Sequence, residues 1–293
     1  MAEVTTSVTR YSDLPSSLIQ YAQVVLSRKP MLAPEGSAIP DIHVVAQQVR
    51  INASHVRRYC EVCGVTPGAT LPPAYLHVLA MPLHMRVFTH SLFPAKVLGL
   101  VHLRNVIRQW QAIPVESVVE LRVRYNVLRE TGSGQEYDLI TSASIAGQLA
   151  WEEVSTMLAR RYVAGQRPVI ERGVRDEARL LCERTVDAET SIGRRYARVS
   201  GDYNPIHLFD RTAQWFAFKQ KVVHGMWSLS RCIGLANVYL PEYPLVLDGQ
   251  FKLPIYLPGN FVFRAQRNDA GVDLSLSTVK GDRLHLSMQA KPL

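Results

Sequence analysis

Strict alternation of apolar and polar residues marks strands. Val119-Glu-Leu-Arg-Val-Arg-Tyr125 and Val272-Asp-Leu-Ser-Leu-Ser277 each send every second side chain to one face, the pattern of a half-buried strand. A helical period runs through Arg57–Gly64 and Arg194–Gly201, and both segments stop at a glycine, the residue favoured just past a helix end. These two segments align at a constant offset of 137 positions, with five of eight residues identical. An apolar segment follows each, Pro73–Thr89 and Val223–Tyr239, and predicts a central helix; Pro82 predicts a kink or break in the first. Strands are then expected near Val101–Ile113 and Val246–Leu257, each with a proline just after it, Pro114 and Pro258.

The chain therefore reads as one unit written twice. Each copy runs strand, short helix and loop, long apolar helix, alternating strands. That order predicts an α+β fold of two tandem units, each a helix packed on an antiparallel sheet. The segment Val163–Ile170 reads as the connection, which places the units at 1–165 and 166–293.

Composition narrows the class. A hydrophobic share of 47% with 20% charged residues describes a packed globular chain, not a disordered one. The most apolar stretch, Tyr75–Met85, is interrupted by histidines and a proline and is too short to span a membrane. Residues 1–10 lack the apolar core of a signal peptide, so a cytoplasmic location is expected. The net charge of +8 raises nucleic acid as a partner, yet the arginine pairs at Arg57-Arg58, Arg160-Arg161 and Arg194-Arg195 sit in no nucleic-acid-binding pattern. Local Lys and Arg would also attract an anionic small-molecule carrier, and most of these charges read as solvated helix faces. Cys60-Glu-Val-Cys63 has redox or metal spacing, but Cys182 and Cys232 supply no second pair, and the repeat aligns Cys60 and Cys63 with Ala197 and Ser200. The thiols read as free, small helix residues, and neither a metal nor a redox cofactor is expected.

The chemistry concentrates in Tyr196–His207. Within six positions lie a carboxylate (Asp202), an amide (Asn204), a proline and an imidazole (His207), on a loop that can aim an acid and a base into one small volume. Farther on, Gly225 opens an apolar helix and offers a backbone N–H where a developing oxyanion could be held. The first copy has Val65 in place of Asp202 and no histidine in the equivalent loop, so its motif is silent.

Tyr196–His207, continuing through Leu208-Phe209-Asp210, Ala213, Phe218-Lys219 and His224-Gly225-Met226, resembles the signature of the MaoC-like (R)-specific enoyl-CoA hydratases and acyl dehydratases. The resemblance is close over about thirty residues. It implies a double hot-dog fold and reversible addition of water to a trans-2-enoyl thioester, giving the (R)-3-hydroxyacyl product. Asp202 and His207 match the catalytic pair, Asn204 a residue that orients it, and Gly225 the thioester-carbonyl hole. Ser200 and Tyr196 are expected to shape the site, His224 to hold structure by hydrogen bonding, and Lys219 and Lys221 to meet phosphates of the carrier. Either Asp202 or His207 can take the water's proton. Coenzyme A enters as part of the substrate, and an acyl carrier protein is the alternative carrier. A dehydratase of a carrier-bound chain, a thioesterase and a non-catalytic acyl-thioester binding subunit share the fold. A complete pair of units is compatible with a monomer or a homodimer. The first unit is expected to line the acyl tunnel.

Overall fold

The computed structural model describes residues 5–16, 20, 23–24, 26–161, 170–173 and 176–293. The connection expected over 163–170 lies, but for Ile170, outside the described residues. Among them runs one sheet of 11 strands: β1 (Thr6–Tyr11), β2 (Asp41–Arg50), β3 (Val101–Gln109), β4 (Val118–Thr131), β5 (Gly134–Ile145), β6 (Gln148–Arg160), β7 (Leu180–Ala188), β8 (Leu245–Phe251), β9 (Gly259–Asn268), β10 (Gly271–Thr278) and β11 (Leu284–Pro292). Its order is β1-β2-β4-β5-β6-β3-β8-β11-β10-β9-β7. Apart from β1, that order is a palindrome about the β3–β8 seam, so each half contributes one five-stranded sheet and the two join edge to edge. Neighbouring strands are antiparallel, except that β1 runs parallel to β2. Across the seam Asn105 pairs with Gly249 and Val106 with Asp248, and Arg104 adds a bond to the Asp248 carboxylate at 3.0 Å.

Six α-helices accompany this sheet among the described residues: α1 (Ala53–Cys63), α2 (Tyr75–Leu79), α3 (Met81–Thr89), α4 (Ile192–Ser200), α5 (Asp210–Gln214) and α6 (Gly225–Ala236). Helices α1 and α4 are the repeated segments. Each ends at a glycine in the left-handed region, Gly64 at φ 61° and Gly201 at φ 70°, a conformation that costs a side chain with a Cβ. Helix α1 starts at Asn52, whose side chain accepts from the Ser54 and His55 N–H groups. The first central segment breaks at Ala80, and Pro82 falls in the first turn of α3, where its missing N–H is harmless. The second continues unbroken as α6 and lies against β9, β10 and β11.

Helices from the two halves are also tied to each other. Trp227 Nε1–H donates to Val62 O at 2.9 Å, Tyr59 O–H to Ser230 Oγ at 2.7 Å, and Arg231 to Gly64 O at 2.7 Å. Cys60 and Cys63 are buried in this contact as free thiols, in the places the repeat assigns to small residues. The strand expected over Val246–Leu257 ends as β8 at Phe251. Lys252 N–H still donates to His285 O of β11 at 2.9 Å, but Pro254 has no N–H to give a ladder, and the chain from 253 leaves the sheet to form cavity wall. No helix among the described residues is long and apolar enough to cross a membrane.

Candidate active site

Helix α4 ends at Gly201, and the next residues turn into a cavity of about 720 Å³ between the halves. Asp202, Asn204, His207, His224 and Gly225 line it together with Tyr196 and Ser200. The local chain holds the loop in shape. Ser200 Oγ accepts from the Asp202 N–H at 3.1 Å, and the Asn204 N–H donates to Asp202 Oδ1 at 3.0 Å. Asn204 thus orients Asp202 through its backbone, while its side chain caps the 3₁₀ turn Pro205–His207 by accepting from the Ile206 N–H at 3.4 Å.

His207 is fixed by one hydrogen bond. Its Nδ1 lies 2.8 Å from Val222 O; a carbonyl only accepts, so Nδ1 carries the hydrogen and Nε2 keeps its lone pair. His224 stacks on His207 with ring centroids 3.7 Å apart and donates Nε2–H to the Asp202 carbonyl at 3.0 Å. Tyr196 packs its ring 4.9 Å from His224. Burial drives both imidazoles toward the neutral form, His207 below its ordinary value against the pull of Asp202, and His224 down to about 3 by burial and by His207. Burial alone would raise Asp202. The adjacent His224 and His207 and the Asn204 N–H outweigh that and hold the carboxyl below the usual range. The Asp202 side chain remains 31% exposed to the cavity. At neutral pH the site therefore presents a carboxylate and an unprotonated Nε2.

Gly225 is the first residue of α6, where backbone N–H groups have no intrahelical partner. A Cβ there would come within 3.1 Å of the Phe251 ring, tighter than ordinary contact, so glycine lets Phe251 lie close against the helix start. A second glycine was not foreseen from the sequence. A Cβ on Gly193 of α4 would sit 2.2 Å from His207 O, so α4 and the His207 turn touch backbone to backbone. Lys219 and Lys221 do not line the cavity. Lys219 is exposed, whereas Lys221 is buried beside Arg194, Arg211 and Trp215 and donates its N–H to Asp210 at 2.9 Å. The basic residues on the cavity wall are Arg160 and Lys252, the latter bound to Glu171 at 2.9 Å.

The half with the silent motif is not without ionisable groups. His77, His84 and His102 line the same cavity, with Glu153 buried behind them. Two histidines seven residues apart in an apolar helical stretch were the available signal, since that spacing puts both on one face. Two sets, Asp202–His207–His224 and His77–His84–Glu153, bring atoms of metal-ligand type within 4.8 Å of one another.

Fold and site together define a double hot-dog protein, and residues 174–242 match the family model described as MaoC like domain. Over 95% of its length the chain is 28% identical to 3-hydroxyacyl-thioester dehydratase X of Mycobacterium tuberculosis, covering 99% of that protein. The crystal structure of that dehydratase superposes with a TM-score of 0.74 over 85% of this chain and 99% of its own. The (R)-specific enoyl-CoA hydratase of Aeromonas caviae is 38% identical over 65 residues, 21% of this chain and 48% of the hydratase. The peroxisomal multifunctional enzyme type 2 of Drosophila melanogaster, 14% identical, shares the fold with a TM-score of 0.65 over 86% of this chain and 48% of its own.

Proposed function

We propose that the protein is a hydro-lyase that interconverts 2-enoyl and 3-hydroxyacyl thioesters. One observation carries this reading: an ionised carboxylate and an imidazole lone pair border one cavity beside the open N-terminus of α6. A water donating to both Asp202 and His207 Nε2 would be aimed and deprotonated as its oxygen bonds to C3. The electron pair of the double bond moves toward the thioester carbonyl, whose oxygen accepts from the Gly225 N–H. The proton taken from water is returned to C2. Elimination is the same path reversed, so hydratase and dehydratase are one catalyst. The pair shares its charge and titrates as a unit.

The named relatives support the thioester substrate class. The (R) configuration and coenzyme A as the carried group follow the Aeromonas hydratase, and an acyl carrier protein is the alternative carrier. Catalysis in this reading needs no resident metal or redox cofactor. Residues 1–165 form the unit that completes the sheet and shapes the acyl tunnel, and 166–293 form the catalytic unit. Met81, Met85, Phe88, Leu98, Leu139 and Met157 of the first give the cavity an apolar wall suited to a long or bulky acyl group. Four free thiols agree with a reducing, cytoplasmic setting. A purely binding role is disfavoured because both proton-transfer groups are present and held.

Loss of enoyl-thioester absorbance with short- and long-chain 2-enoyl-CoA tests the reading. Wild type is expected to turn over both, and Asp202→Asn and His207→Ala each to lose about 10²–10⁴ in rate. Release of free thiol without hydration would make the protein a thioesterase instead, and activity surviving both substitutions would remove the pair from the mechanism.

A further inference from the structure

Deep in the half whose motif is silent, four elements converge on a polar cluster: His77 on α2, His84 on α3, His102 on β3 and Glu153 on β6. His77, His84, His102 and Ser155 reach the wall of the cavity that holds Asp202 and His207. Their neighbours there are Met81, Met85 and Leu139, so this is a polar island in an apolar tunnel. Such groups are costly to bury unless each finds a partner.

Most of the island is tied down. His77 Nδ1 lies 2.9 Å from both Glu153 oxygens, His84 Nε2 lies 2.8 Å from Thr141 Oγ1, and Asn105 Nδ2 donates to Glu153 and, at 3.1 Å, to Ser155 Oγ. These bonds fix the rings and commit one nitrogen of each of the first two histidines. His102 is different. Its Nε2 is buried with no partner. Its ring is stacked 6.0 Å from that of His77 and lies 4.8 Å from that of Phe251, and Phe251 in turn lies close against Gly225. The unpartnered nitrogen therefore stands one ring away from the expected position of the thioester carbonyl.

A buried nitrogen without a partner costs on the order of 1–3 kcal/mol, which a bound molecule recovers if it brings a hydrogen-bonding group. We propose that His102, with His77 and His84 beside it, is a subsite for a hydroxyl group carried on the acyl chain of the substrate, beyond the reacting double bond. A hydroxyl both donates and accepts, so it pairs with Nε2 in either tautomer. A second carboxylate is excluded by Glu153, fully buried behind the rings. Burial and His77 also hold His84 and His102 down to about 3 and about 4, so neither ring offers a cation to an anionic group. The inference rests on the hydro-lyase reading for the thioester end of the molecule and adds a preference for oxygenated acyl chains.

The test uses the full chain and 2-enoyl-CoA thioesters of one length, either unsubstituted or bearing a hydroxyl at each successive carbon of the tail. Wild type is expected to favour one regioisomer over the unsubstituted chain by about 10–100-fold in kcat/KM, within what a site built to bond a hydroxyl can discriminate. His102→Phe keeps a ring on Phe251 and is expected to bring that ratio close to unity; His84→Leu is expected to lower it. Absence of any favoured isomer in wild type, or a ratio untouched by His102→Phe, overturns the subsite. Calorimetric binding of the saturated acyl-CoA and its hydroxyl isomers to wild type reads the same preference without turnover, and it decides alone should a variant not fold. A retained hydroxyl preference in a protein inactive on every enoyl thioester would overturn the hydro-lyase reading only. Equal binding of all isomers would overturn the subsite only.

Discussion

Gly193→Ala sets two effects against each other, and the structure says which wins. Gly193 is the second residue of α4, and alanine in a helix is ordinarily better than glycine by about 0.5–1 kcal/mol. The added Cβ, however, would lie 2.2 Å from the carbonyl oxygen of His207 and 3.3 Å from its carbonyl carbon, where ordinary contact begins at 3.4 Å. The oxygen is backbone, so no side-chain rotation relieves the overlap. Either α4 or the Pro205–His207 turn must shift by about 1 Å, at a cost of the order of 1–3 kcal/mol for an overpacked contact. Both elements belong to the site: α4 leads into Asp202, and the turn carries His207. A displacement of that size in catalytic geometry can cost about 10² in rate. The expected outcome is a kcat/KM for enoyl-thioester hydration reduced about 10²-fold, with a melting temperature not raised above wild type. Wild-type turnover with the added stability that helix propensity promises would refute the reasoning, and would mean that α4 and His207 are not held against each other.

Four further outcomes follow from the buried groups. Asp202→Asn combined with His207→Ala is expected to cost little more than either alone, because the two share one proton transfer; rate losses that multiply in the double variant would argue for independent roles. In the proposed mechanism His207 acts with Nε2 unprotonated, and burial lowers its pKa, so the acid limb of the kcat/KM profile should lie below about pH 6.5, with no loss on rising from there to neutrality; a limb centred above pH 7 would contradict this. Stability should move the same way. His207, His84, His102 and His224 all have folded-state values below the unfolded one, so the unfolded chain binds more protons as pH falls through about 6.5, and melting temperature should drop steadily toward pH 4. His77→Leu strips the buried Glu153 carboxylate of its imidazole partner and should destabilise the fold by about 3–5 kcal/mol in urea unfolding; a change below 1 kcal/mol would mean that Glu153 is neutral.

Much of the shape of the 200–207 loop was legible because it is local. Ser200, Asp202, Asn204 and His207 lie within eight residues, and the bonds that set the loop run between neighbours two apart. The role of Asn204 needed coordinates, since backbone and side chain of one residue serve different partners. The placement of the lysines belongs to the tertiary structure. Proximity in the chain placed Lys219 and Lys221 near the site, yet the turn after α5 carries one outward and buries the other against a separate groove.

By itself the sequence determined the strands of β4 and β10, the paired helices α1 and α4, and the existence of two copies of one unit. Periods of two and of 3.6 residues and a glycine stop are properties of consecutive residues. It also determined that only the second copy carries the Asp–His motif. Tertiary structure decided what each apolar or polar face meets. It set β3 against β8, stacked His224 on His207, pressed Gly193 onto the His207 carbonyl and gathered His77, His84 and His102 at the cavity wall with Glu153 against His77. Periodicity says which side of an element is buried, but whether a buried polar group is satisfied depends on atoms that folding brings from elsewhere in the chain.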